Sequence, residues 1–347
     1  MARQMPFFMT SNMCCPPRTR ICAFKRHRET SMTICVIHTG GTIGMAPSPE
    51  GFAPKTGIVE AELDRLQRIG AIEADFRVVT ASPLIDSANA TSADWNWIMA
   101  QIAAHDDDCA GFVVTHGTDT LAFTAAALSF GLKGLRKPVV ITGAMLPLSE
   151  EGSDGSDNLR DAFRAVEQAA PGVWVQFAGK LLHGARVRKS HSVAFDAFNA
   201  SPTDAAPLRA AETLGIFEYG DATALIAAVA PGMNASLISY AVEQAAGIVL
   251  RCYGSGTVPE GLGLRKAMLQ ARDTGVPVLA VSQCAEGGIS LGTYAAGAML
   301  AQTGAIDGRD MTVEAAYAKL LHALSQSADL ATRREILETR LCGEWAL

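Results

Sequence analysis

Residues 34–44 read Ile-Cys-Val-Ile-His-Thr-Gly-Gly-Thr-Ile-Gly. A short, largely β-branched apolar run that ends in a hydroxyl and paired glycines is the pattern of a strand buried on both faces and closed by a tight turn. The pattern returns at Phe112–Val114, Val139–Ile141 and Val173–Phe177, each bounded by Gly, Pro or Asp. Between these runs lie helical stretches: Asp94–Ala104, Leu121–Leu132 after the candidate caps Thr118 and Asp119, and Leu159–Ala169 after Ser156 and Asp157. Strand and helix alternate, which predicts an α/β fold with a largely parallel sheet flanked by helices. The period fades between Pro202 and Asp221, where Pro207, Gly215 and Gly220 also interrupt the chain. It resumes with strands at Leu225–Val229, Ile248–Leu250 and Val278–Val281, and helices near Ala235–Ala245, Leu262–Thr274, Gly292–Gln302 and Val313–Ser325. The expected organisation is an extension over 1–31, a larger N-terminal domain over 32–205, a linker over 206–222 and a smaller C-terminal domain over 223–347, each domain with its own largely parallel sheet.

Composition narrows the function. The chain has 347 residues, 49% hydrophobic and 18% charged, enough apolar side chain to offset the entropy of ordering. A formal charge of -6 opposes a nucleic-acid partner. The longest uncharged stretches, 222–242 and 287–306, are broken by Pro231, Gly232, Asn234 and many Gly, Ser and Thr, so they read as buried soluble structure and not as membrane spans. Eight scattered cysteines without a Cys-x-x-Cys pair fit a reducing, cytoplasmic setting, and no His or Cys spacing suggests a metal set. The first thirty residues carry +5 and the remainder -11. They lack the apolar core of a secretory signal. A disordered tail, a start codon upstream of a natural Met32, or a transit-like or surface-tethering segment all fit them.

Two turns carry candidate chemistry. In an open parallel sheet, loops at the carboxyl ends of strands meet at a crevice, where backbone N–H groups and helix N-termini can receive an anion. The first loop, Thr39-Gly40-Gly41-Thr42-Ile43-Gly44, presents Thr42 on a backbone that a ligand can approach closely. The second, Thr115-His116-Gly117-Thr118-Asp119-Thr120, sets a hydroxyl and a carboxylate where a helix begins. Either alone also reads as a tight turn or a helix cap, worth about 1 kcal/mol. A dinucleotide fingerprint fits poorly, since the spacing is G-G-x-x-G and Pro47, Pro49 and Gly51 forbid the helix that should follow.

Together the loops resemble the signature pair of the bacterial-type L-asparaginases, which include asparaginase/glutaminases. The likeness continues through Pro138–Ala144, Ser153-Asp154-Gly155 with Asn158-Leu159, Lys189, Phe195–Phe198, Arg251-x-Tyr253-Gly254 and Gln283-Cys284. It covers the chain from about Met32 onward and leans to the cytoplasmic type I branch. The resemblance implies hydrolysis of L-asparagine to L-aspartate and ammonia through a threonine acyl-enzyme, with no metal or organic cofactor, in a homodimer or homotetramer. It implies Thr42 as nucleophile and Thr118, Asp119 and Lys189 as the second catalytic cluster. Substrate contacts would come from Gly41, Asp86, Ser87, Thr118, Asp119 and the Ala144 carbonyl. Hydrolysis of glutamine or another ω-amide, and amino-acid binding without catalysis, are the alternatives.

Two departures matter. The stretch Ala46–Thr56 resembles the mobile lid whose tyrosine hydroxyl serves the nucleophile in relatives, but the matching residue is Phe52, and the first 218 residues contain no tyrosine. Phenylalanine can exclude water but cannot relay a proton. Type I relatives also bind asparagine at an effector site near the counterparts of Arg251 and Cys284, beside the residue preceding the catalytic lysine. That residue is Arg188 here, bulkier and charged.

Overall fold

The computed structural model describes residues 1, 33–292 and 295–346. The basic extension expected over 1–31 therefore lies, Met1 apart, outside the described residues. From there the chain runs β1 (Ile34–Gly40), a hairpin of β2 (Met45–Ser48) and β3 (Gly51–Pro54), α1 (Ile58–Arg68), β4 (Phe76–Ile85), α2 (Ser92–Ala104), β5 (Gly111–Thr115) and α3 (Leu121–Gly131). It continues with β6 (Leu132–Lys133), β7 (Pro138–Thr142), α4 (Gly155–Gln168), the hairpin of β8 (Gly172–Phe177) and β9 (Lys180–His183), then the hairpin of β10 (Val187–Lys189) and β11 (Phe198–Ala200). The remainder is β12 (Gly215–Ile216), β13 (Ala224–Ala228), α5 (Ser236–Gln244), β14 (Gly247–Cys252), α6 (Leu262–Thr274), β15 (Val278–Ser282), α7 (Ala295–Gln302), β16 (Ile306–Asp307), α8 (Val313–Gln326) and α9 (Leu330–Glu338).

The principal sheet has the order β4-β1-β5-β7-β8-β9 and is parallel except for β9. A second sheet, β13-β14-β15-β16, is parallel throughout. Both match the α/β expectation. Most of the apolar runs read from sequence are strands with neighbours on both sides, such as β1, β5, β7 and β14, while Leu225–Val229 gives the edge strand β13. Every residue of β1 and β5 is buried, as two-faced burial requires.

Helix α3 is apolar all round and sits between the sheet and α8, so it has no solvent face to display. The hydrophobic cluster containing Ile37 and Val114 runs through Leu128 to Leu320 of α8 and on to Val249 and Leu279 of the second sheet. Two local expectations are corrected. The residue that caps α3 is Thr120, which leaves Thr118 and Asp119 outside the helix and free for other partners. Helix α4 begins at Gly155 after Asp154, so Ser156 and Asp157 lie within its first turn. The stretch that showed no period contains β12, which pairs antiparallel with β6 across more than eighty residues of sequence, an arrangement no local pattern announces.

Two buried histidines make the fold sensitive to acid. Burial and the neighbouring Arg186 lower His183 to about 4; burial with Arg209 and Lys319 lowers His322 to about 3. The Arg209 guanidinium donates to Nε2 of His322 at 2.9 Å, which suits the neutral ring. An imidazole whose folded-state pKa lies below its unfolded value takes up its proton first in the unfolded chain as pH falls. Stability is therefore complete above about pH 6.5 and withdrawn below it, with a slope of up to about 1.4 kcal/mol per pH unit for each histidine. Denaturant unfolding at about pH 7.5 and about pH 5 should show this loss, and His183→Gln should flatten the slope. An unchanged slope in that variant would remove the assignment.

Candidate active site

Parallel pairing of β1 with β5 brings the ends of both strands, and hence both glycine-bearing turns, to one edge of the sheet. Thr39 Oγ1 donates to the Thr115 carbonyl at 2.8 Å, and His38 Nδ1 lies 2.7 Å from Thr115 Oγ1, so the strands are tied where the turns begin. The turns then touch. Gly41 has φ 82°, and a Cβ there would stand 2.3 Å from the Gly117 nitrogen; a Cβ on Gly117 would stand 2.3 Å from Ser87 Oγ. Only glycine permits this approach, and at Gly41 the left-handed backbone requires it as well. The turns that carry Thr42 and Thr118, the residues that follow the two glycines, are thereby set against each other.

The third strand of the site is β4, which runs beside β1 and ends in the turn bearing Ser87. Gly41 donates its N–H to the Ile85 carbonyl at 3.2 Å, and Thr120 Oγ1 donates to the Ser87 carbonyl at 2.7 Å. Ser87 is buried with its hydroxyl against Gly117. Asp86 is exposed, and its carboxylate accepts from the Ala88 N–H and the Asn89 amide, so its contacts are those of a turn residue. Ala144 is fully buried just beyond β7. It follows Gly143, whose carbonyl accepts from Asn158 Nδ2, and precedes Met145, whose N–H donates to Asp154. Asp154 and Asn158 thus brace both sides of Ala144.

Lys189, at the end of β10, donates to Thr118 Oγ1 at 2.9 Å and to Asp119 Oδ1 at 2.8 Å. Its side chain is 21% exposed while that of Asp119 is 65% exposed, so the pair is open to solvent on the carboxylate side. A lysine donating to a threonine hydroxyl can stabilise the alkoxide form or hold a water, and the carboxylate fixes where the ammonium sits.

Behind the second turn runs a chain of hydrogen bonds that motif reading did not reach. Trp95 Nε1 donates to Thr124 Oγ1 at 3.0 Å, Thr124 lies 3.0 Å from His116 Nε2, and His116 Nδ1 lies 2.8 Å from the Gly117 carbonyl. A carbonyl only accepts, so Nδ1 carries the proton and Nε2 accepts from the Thr124 hydroxyl. Burial lowers the pKa of His116 and keeps it neutral. The Gly117 carbonyl is thus held away from the cleft, which turns the N–H of the same trans peptide, that of Thr118, the other way.

The stretch expected as a lid is the β2–β3 hairpin, which among the described residues pairs with no other strand. Phe52 pairs with Pro47 there and is 49% exposed. Arg251 and Cys284 line a cavity of about 360 Å³ that reaches Arg188, Lys189 and Glu314. Burial raises the Glu314 carboxyl, and Arg188 and Arg251 partly oppose that shift. Among the described residues, no group of three or more His, Cys, Asp or Glu is placed to hold a metal ion, and no helix is long and apolar enough to cross a membrane.

This arrangement occurs in a chain whose residues 33–216 match the family described as Asparaginase, N-terminal, and whose residues 225–337 match the Glutaminase/Asparaginase C-terminal domain. It is 37% identical over 331 residues to L-asparaginase 1 of Escherichia coli K12, covering 90% of this chain and 97% of that one. The crystal structure of L-asparaginase I from Vibrio cholerae O1 biovar eltor superposes with a TM-score of 0.81 at 33% identity, over 91% of this chain and 99% of the other. The thermostable L-asparaginase from Thermococcus kodakarensis gives 0.77 at 32% identity, over 90% and 99%. Two touching glycine turns on adjacent parallel strands, and matches that span nearly the whole described chain, lead to one conclusion: the chain belongs to the asparaginase family.

Proposed function

We propose that this protein hydrolyses L-asparagine to L-aspartate and ammonia by double displacement, with Thr42 as the nucleophile. The contact between Gly41 and Gly117 supports this proposal, because it sets the turn that carries Thr42 against the turn whose Thr118 hydroxyl Lys189 holds. Thr42 Oγ attacks the side-chain carboxamide carbon, and backbone N–H groups around Gly41 and Thr118 receive the developing oxyanion. Ammonia leaves with the proton, and water then cleaves the ester to release aspartate and restore the hydroxyl. Lys189 lowers the cost of deprotonating Thr118, or of holding the water, while Asp119 keeps the ammonium in place. Ser87 and Asp119 serve the substrate's α-carboxylate and α-amino group, Asp86 shapes the turn beside them, and the Ala144 carbonyl meets the amide. No cofactor is invoked.

The likeness to type I enzymes supports a cytoplasmic homodimer or homotetramer, with an N-terminal domain over 32–205 and a C-terminal one over 223–347. The cavity lined by Arg251 and Cys284 is the candidate effector site, with Arg188 reshaping its wall.

Thr42→Ala should abolish ammonia release and leave the unfolding midpoint within about 0.5 kcal/mol of the parent in free energy. Full turnover in that variant would end the nucleophile assignment. Phe52 supplies no hydroxyl, so Phe52→Tyr should raise kcat by about ten-fold or more if a lid proton relay is the missing part, a group of this kind being worth about 10² to 10⁴. An unchanged kcat would mean that Thr42 is served from elsewhere. Steady-state assays with L-asparagine, L-glutamine and D-asparagine should give the highest kcat/KM for L-asparagine. A sigmoidal dependence on L-asparagine is expected if the cavity is occupied by effector, and a hyperbolic one removes that role.

A further inference from the structure

Three residues before Lys189 lies the buried guanidinium of Arg186, which is 1% exposed. A guanidinium has five N–H donors in a fixed planar fork. All five are engaged here. Nε donates to the Ser201 carbonyl at 3.3 Å; Nη1 donates to the carbonyls of Asp310 at 3.0 Å and Glu344 at 2.9 Å; Nη2 donates to the Pro202 carbonyl at 3.0 Å and to Asp310 Oδ2 at 2.8 Å. These acceptors come from three separate stretches of chain.

The acceptors at Asp310 and Glu344 are themselves held. The other carboxylate oxygen of Asp310 accepts from the Ala346 N–H at 3.0 Å. The Glu344 carboxylate accepts from Lys319 Nζ at 2.6 Å and from the N–H groups of Leu341 and Cys342 at 2.9 to 3.0 Å, with both charged side chains fully buried. Helix α8 therefore locks the chain around 341–346, which in turn offers its Glu344 carbonyl to Arg186.

The β10–β11 hairpin forms a two-stranded sheet of its own, with Val187 opposite Ala200, Arg188 opposite Asn199 and Lys189 opposite Phe198. Among the described residues no further strand pairs with it; Val187 and Phe198 pack into the core, with the Phe198 ring 4.8 Å from that of Phe177, and the polar anchor lies at its base. Arg186 and Ser201 are the next residues beyond that register, and the Ser201 N–H reaches back to the Arg186 carbonyl. The guanidinium thus closes the base of the hairpin on both strands and fastens it to the loop after β16. Lys189 stands at the far end, about 10 Å away at the usual rise of a strand.

We propose that Arg186 is the positioning residue for Lys189: its saturated fork, through Asp310 and Glu344, anchors the hairpin so that the ammonium arrives between Thr118 and Asp119. Arg186 touches no reacting atom. Its effect passes entirely through the placement of Lys189, so the inference rests on Lys189 serving the reaction. A displacement of about 1 Å at a reacting group can cost roughly a hundred-fold in rate.

The test compares folded variants of the full chain. Lys189→Met establishes the dependence: if it keeps full activity, the proposed function of Lys189 fails and the hairpin is irrelevant to rate. Given an inactive Lys189→Met, Arg186→Met should lower kcat by about ten-fold or more while KM moves less than about three-fold, and Arg186→Lys, which keeps the charge but not the fork, should fall between it and the parent. Asp310→Asn, the milder change if Arg186→Met does not fold, should lower kcat several-fold. Millimolar guanidinium should restore part of the activity of Arg186→Ala. Leu264→Ala, a buried residue of α6 in a separate hydrophobic cluster from the hairpin, controls for lost stability. Equal loss of kcat in Leu264→Ala at matched Tm, or parental kcat in both Arg186→Lys and Asp310→Asn, would overturn the inference.

Discussion

Gly41 lies so near the backbone of Gly117 that it cannot carry a β-carbon, and the side chain of Ser87 bars one at Gly117. A side chain at Gly41 would force the two turns apart, and one at Gly117 would displace Ser87. Everything that supports the site serves this contact: the parallel register of β1 with β5 and of β1 with β4, the threonine bond between strand ends, and the buried histidine behind the second turn. The turns can be narrow because the strands feeding them are wholly buried and therefore fixed in height and direction.

The remaining group arrives by another route. Lys189 is carried on a short hairpin outside both principal sheets, and its placement depends on buried charge more than on strand pairing. Burying ions is costly unless each is matched. Here a guanidinium meets five acceptors, and the Lys319–Glu344 pair is supplemented by backbone N–H groups and by the Thr339 carbonyl. The Lys319 ammonium is lowered to about 8 by burial, with Glu344 opposing the shift. Such a network fixes the register of a hairpin whose Val187 and Phe198 already anchor it in the core, because apolar packing alone is not directional.

Legibility from sequence followed the range of the forces involved. Strands buried on both faces announce themselves as apolar runs, so β1, β5, β7 and β14 could be read directly. The edge strand β4 is mostly half-buried without regular alternation and carries Pro83, so it leaves no clear run, and α1 and α9 are hidden likewise by polar faces that dilute the pattern. Thr42, Thr118 and Lys189 were found through motif resemblance, with glycine chemistry as the physical clue. The supports were not found. Trp95, Thr124 and Arg186 look like ordinary core or basic residues, and only the tertiary fold gives each its partner. Asp154 stood in a recognised motif, but its bonds to Met145 and Leu146 could not be read from spacing.

Among the described residues the β2–β3 hairpin pairs with no other strand, though Ser149 Oγ donates to its Met45 carbonyl, and Phe52 leaves half its surface to water. An aromatic ring with so few obligations can be exchanged at little expense in folding free energy, whereas a residue of β1 cannot. Reactivity and architecture are therefore under separate control: the flap is free to drift toward faster or slower chemistry, or toward bulkier amides, while the scaffold that aims the nucleophile stays as it is.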